Sequence, residues 1–107
     1  SKHKKSVYKA STVLIFINQL REKIDYRKKL NVEEIKELVE EIKEQVDEEM
    51  SYGDNIDELT GNSVIGEMDT IIEYIDEGIL NKDRLEKIIE TVEELIDYSD
   101  VAEDEED

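Results

Sequence analysis

Four blocks of apolar residues recur at three- and four-residue spacing, and no proline interrupts any of them. That spacing places one face of a helix against a core, whereas strands require alternation. Glycine is equally sparse, at four in 107 residues, so the chain lacks the turn density of a β-sandwich. The sequence therefore predicts an all-α fold, a small up-down-up-down four-helix bundle with helices over about 6–26, 31–51, 63–77 and 81–98, the alternative being a pair of helical hairpins swapped into a dimer. Residues 1–98 form a single helical domain on this reading, and 99–107 a mobile acidic tail, since six acids there face only Val101 and Ala102 as apolar residues.

The first helix follows a basic lead-in, Ser1 to Lys5. Val7, Ala10, Val13, Leu14, Phe16, Ile17, Leu20 and Ile24 fill half of its wheel, and Tyr8, Ile15 and Tyr26 fall together on the other half. The second helix opens with Leu30, Asn31, Glu34 and Ile35 in the order of a capping box with a hydrophobic staple. Its stripe is Ile35, Leu38, Val39, Ile42, Val46 and Met50, opposite a row of Glu33, Glu37, Glu40 and Glu44, and Gly53 is its expected left-handed stop. Asn62 or Ser63 is expected to cap a third helix with core residues Val64, Ile65, Met68, Ile71, Ile72 and Ile75, ending at Gly78. Leu80 and Asn81 repeat the helix-start pattern before Leu85, Ile88, Ile89, Val92, Leu95 and Ile96. The short third connection makes the last two helices an antiparallel hairpin. The shared Leu-Asn starts read as common helix-start chemistry rather than duplication.

Charge is divided along the chain. Residues 1–30 carry nine Lys/Arg against two acids, or +7, and residues 31–107 carry five against twenty-nine, or −24. Lys2, Lys4, Lys5 and Lys9 and the cluster Arg27 to Lys29 could touch phosphate. The body beneath them repels a duplex, however, and Arg27 to Lys29 is expected to complement the first helix's C-terminal dipole. Direct nucleic-acid binding is not expected. With no cysteine and one histidine, His3, zinc sites are excluded and no cofactor is expected, and neither a disulfide framework nor an oxidising compartment is required. The longest apolar run, Val13 to Ile17, is too short to cross a membrane. A soluble cytoplasmic protein is the expectation.

Glu40-Glu41-x-x-Glu44 followed by Glu73-x-x-Asp76 resembles the paired carboxylate motifs of all-α nucleoside-triphosphate pyrophosphohydrolases, and the resemblance implies magnesium-dependent hydrolysis. In a chain with 31 acids, Glu33-Glu34-x-x-Glu37 matches the first motif equally well, so a solvated helix face accounts for the pattern better than a metal centre. Asp54, Asn55, Asp57 and Glu58 lack the alternation of a calcium loop. No enzyme is expected.

Rows of carboxylates on rigid helices remain. Glu86, Glu90, Glu93 and Asp97 share a flank of the fourth helix, and Asp69, Glu73 and Asp76 run along the third. Spaced about 5–6 Å apart, such groups approach the spacing of phosphates on a strand and suit a basic groove. In general character the chain resembles phage and plasmid inhibitors that imitate DNA, and acidic immunity proteins that neutralise nucleases. The sequence points to an interaction protein that binds and inhibits a basic, nucleic-acid-binding protein through these seven residues. The alternative is a helical homo-oligomeric assembly protein, a homodimer in the simplest case, paired through Tyr8, Ile15 and Tyr26.

Overall fold

A computed structural model describes the backbone of residues 2–53 and 56–106 and the side chains of residues 12–51 and 56–96. Four α-helices run in the order α1 (Lys2–Glu22), α2 (Val32–Glu48), α3 (Glu58–Glu77) and α4 (Lys82–Glu106), with no strand among the described residues. Each of α1 and α3 packs on both α2 and α4, so the bundle is a ring of neighbouring helices with α1 diagonal to α3. Ion pairs running from Lys36 to Asp76 and from Lys43 to Asp69 make α2 and α3 antiparallel.

The helix starts at Asn31 and Asn81 are as expected. Each Asn side chain accepts the backbone N–H three residues on, from Glu34 at 3.2 Å and from Arg84 at 2.8 Å. Glu34 does not complete the capping box by turning back; its carboxylate accepts the Lys23 ammonium at 3.1 Å. Gly78 closes α3 in the left-handed region, with φ 73°, and its N–H and that of Ile79 bond to Ile75 and Tyr74 carbonyls.

Helix boundaries differ from those expected at several ends. α1 begins at Lys2, four residues before Ser6, and ends at Glu22 rather than Tyr26, because the Lys23 and Ile24 N–H groups make tight bonds to Leu20 and Arg21 carbonyls and Asp25 then accepts the Arg27 N–H. The dipole role foreseen for Arg27 to Lys29 falls instead to Arg21, the basic residue of the last turn. α3 begins five residues early: Asp57, not Asn62 or Ser63, is the N-cap, accepting the Thr60 N–H at 3.0 Å. Ser63 sits inside the helix, its hydroxyl donating to the Leu59 carbonyl. Gly61 is buried against Met50, whose thioether occupies the space that a Cβ there would need. α2 passes into a five-residue π-helix, Glu49–Gly53, where a glycine stop was expected. The backbone of α4 continues to Glu106, through the stretch expected to be a mobile tail; side chains from Asp97 onward lie outside the described residues.

The core is continuous. Its fully enclosed members include Val13, Ile17 and Leu20 of α1, Ile35, Val39, Ile42 and Val46 of α2, Val64, Met68 and Ile71 of α3, and Leu85, Ile89 and Val92 of α4. Burial repeats at offsets of 50 and 51 positions. Ile35, Leu38, Val39, Ile42 and Val46 are matched 50 positions later by Leu85, Ile88, Ile89, Val92 and Ile96, and Val13, Ile17 and Leu20 are matched 51 positions later by Val64, Met68 and Ile71. The equivalence of Leu30-Asn31 with Leu80-Asn81 thus extends to whole hairpins: α1–α2 and α3–α4 use the same positions to build the core.

Candidate functional site: the carboxylate faces

The packing that buries these stripes also decides which carboxylates are neutralised. Lys43 of α2 reaches Asp69 of α3 at 2.5 Å and Lys36 reaches Asp76 at 3.7 Å. Arg21 of α1 donates to Glu93 of α4 at 2.6 Å, and the Tyr26 hydroxyl donates to Glu86 at 3.0 Å. Four of the seven residues singled out in the sequence are therefore held by other parts of the same chain. Glu73 and Glu90 are exposed and have no such partner among the described residues, and Asp97 lies outside the described side chains. The seven are not one surface, because α3 and α4 turn their acids toward different neighbours, α2 and α1.

A more continuous acidic face lies on α2. Glu33, Glu37, Glu40, Glu41, Glu44, Asp47 and Glu48 are all exposed, and none has an ion-pair or hydrogen-bond partner among the described residues. Both lysines of α2 are engaged with α3, so the outward half of this helix presents carboxylates alone over its 17 residues. The helix rise gives that face a length of about 25 Å. The sequence signal was present in the row opposite the apolar stripe; what it lacked was the fate of Lys36 and Lys43.

Among the described residues, Asp25 and Tyr26 titrate away from their ordinary values. Asp25 is held below 3.8, first by the Arg27 backbone N–H, then by the Arg27 side chain, with Lys28 and Lys82 adding to it. Tyr26 is raised above 10.0, chiefly because its hydroxyl donates to Glu86, with slight desolvation and nearby acids adding to the effect. The Tyr26 ring also carries the Lys82 ammonium 5.5 Å from its centroid. Tyr26 is consequently tied to α4 although 62% exposed, while Ile15 is 55% exposed in the middle of α1. Tyr8 lies outside the described side chains, so the proposed self-association stripe is described only at these two residues, one of which is beyond the end of α1.

The motif residues Glu40, Glu41, Glu44 and Glu73 are exposed, and Asp76 faces Lys36. Among the described residues no group of three or more His, Cys, Asp or Glu is placed to hold a metal ion. No helix among them is long and apolar enough to cross a membrane. Comparison with protein-family models, with curated proteins and with solved structures found no match.

Proposed function

We propose that this chain is an acidic interaction protein that binds a basic protein surface, of the kind nucleic-acid-binding proteins present, and blocks it, acting in a reducing cytoplasm. The observation that supports this reading is the outward face of α2, a row of exposed carboxylates on a rigid helix with its only cations turned away toward α3. The helix backbone that carries these carboxylates is already ordered before binding, and their field favours encounter with a basic groove. The contact surface moves accordingly from the α4 row, where Glu86 and Glu93 are already engaged, to α2, with Glu73 and Glu90 as the remaining unengaged members of the original set.

The test is displacement of a fluorescent DNA duplex from a sequence-nonspecific DNA-binding protein at low salt. The chain is expected to compete, less so as salt rises, and the triple variant Glu37→Lys, Glu40→Lys, Glu44→Lys to lose competition while keeping its helical circular dichroism. Competition undiminished in that variant rejects the α2 face. A second reading, self-association through α1, is favoured by the exposure of Ile15 in mid-helix. It predicts that Ile15→Glu reduces the mass measured by light scattering, with little effect of salt.

A further inference from the structure

The two hairpins are fitted to each other more extensively than the helices within either one. The α2–α3 and α1–α4 packings, both between hairpins, exceed the α1–α2 and α3–α4 packings inside them. The polar contacts across this divide are specific in sign. Lys36 and Lys43 stand at the positions that Glu86 and Glu93 occupy 50 residues later, so equivalent sites carry opposite charge. Lys36 and Lys43 meet Asp76 and Asp69, whereas Glu86 and Glu93 meet Tyr26 and Arg21.

Self-pairing is disfavoured by this arrangement. Two C-terminal hairpins docked in the same way bring Glu86 and Glu93 toward Asp76 and Asp69, and two N-terminal hairpins bring Lys43 toward Arg21, with Lys36 beside Tyr26 and Asp25. Like charges set across an interface reject the wrong partner. An α1–α2 hairpin therefore selects an α3–α4 hairpin, and its own and that of a second copy offer it identical contacts.

Where the connection between the hairpins begins, the closed form leaves a buried group unsatisfied. The connection starts in the π-helix Glu49–Gly53, and Glu49 is the one buried charged residue among the described residues, 7% exposed. Gln45 Nε2 donates to Glu49 Oε2 at 2.9 Å, but Oε1 has no partner among the described residues. A buried carboxylate oxygen without a donor opposes the conformation that buries it, and π-helical turns are interruptions of regular helix that occur at functional positions.

We propose that two copies of the chain exchange their α3–α4 hairpins about this connection, forming a two-fold dimer in which α1–α2 of each copy packs on α3–α4 of the other. The core contacts among the four helices and the inter-hairpin ion pairs are retained, and the changes fall on the connection, where Met50 and the buried Ile56 repack and Glu49 gains water. The exchange does not depend on whether the α2 face binds a basic partner, and it leaves Ile15 outside the contact.

The absence of cysteine makes the exchange directly testable by cross-linking. Single variants Lys43→Cys and Asp69→Cys are mixed, unfolded together, refolded at high protein concentration and treated with a short bis-maleimide. Exchange is expected to give cross-linked dimer at several-fold higher yield than a control mixture of Glu37→Cys with Asp69→Cys, because Glu37 faces outward. No excess dimer, with the double variant Lys43→Cys/Asp69→Cys cross-linking within one chain, overturns the exchange. Failure of the double variant to cross-link overturns it as well, because the contact being exchanged is then missing. In the unsubstituted chain, light scattering after concentrated refolding is expected to find doubled mass with unchanged helicity. Glu49→Gln is expected to lower that dimer fraction several-fold, and an unchanged fraction overturns the role of Glu49. Loss of the dimer in Ile15→Glu instead assigns it to α1 and overturns the exchange.

Discussion

The Arg21 guanidinium lies 2.6 Å from a Glu93 carboxylate oxygen, joining the end of α1 to the middle of α4 across 72 residues of sequence. Both side chains are about one-third exposed, which places the pair between a buried bridge and a solvated one. Glu93→Gln is expected to lower unfolding free energy by about 0.5–1 kcal/mol. A double-mutant cycle with Arg21→Gln in urea, repeated at high salt, checks it. Equal losses in the single and double variants, shrinking as salt rises, identify the ion pair as the cause.

Glu49 offers a gain rather than a loss. Gln at this position keeps an amide oxygen for the Gln45 donor seen at 2.9 Å and removes the buried charge whose second oxygen has no partner among the described residues. Glu49→Gln is expected to stabilise the fold by about 1 kcal/mol, measured as a raised denaturation midpoint at unchanged slope. A midpoint at or below that of the parent contradicts the burial of an unsatisfied carboxylate.

Two glycines predict opposite outcomes for one substitution. Gly66 is exposed within α3 and a Cβ there meets nothing within 4 Å, so Gly66→Ala should stabilise by about 0.5–1 kcal/mol through helix propensity. Gly78 holds φ 73° at the C-terminus of α3, so Gly78→Ala should cost about 1 kcal/mol. Thermal melts of the two variants should shift in opposite directions. A shift of the same sign in both would remove the left-handed cap as the explanation.

The pH dependence around the α1–α2 turn has two limits. Asp25 titrates below 3.8 when folded, so its contribution is present above the unfolded value and disappears as pH falls through the folded one. Tyr26 titrates above 10.0 when folded, so its contribution is present below the unfolded value and disappears as pH rises through the folded one. The difference in phenolate absorbance between the parent and Tyr26→Phe should reach its midpoint above pH 10.0, and Glu86→Ala should move both onset and midpoint to lower pH. An onset unmoved in Glu86→Ala contradicts the hydrogen bond as its cause.

Much of the fold was legible because its signals are local. Asn31 and Asn81 each bond a backbone N–H three residues away, and the apolar stripes of α2 and α4 needed only helical spacing to be recognised. The start of α3 was less legible, since Leu59 is 78% exposed and Gly61, Asn62 and Ser63 resemble a break. Asp57 and the close approach of Met50 to Gly61 make that segment helical, and the second of these exists only once α2 is in place. The extent of the repeat was hidden for a similar reason: the two hairpins share which positions are buried far more than which residues fill them.

Sequence alone determined that this chain forms amphipathic helices, where two of them start, and that its surface is dominated by carboxylate, because capping, periodicity and charge composition act over a few residues. Tertiary structure decided which carboxylates remain unneutralised. Lys36, Lys43 and Arg21 could have faced water or any acidic neighbour; helix packing alone set them against Asp76, Asp69 and Glu93, leaving the outward face of α2 with negative charge only. Interaction between charges depends on their separation in space, and a separation across 72 residues is fixed only by the folded core.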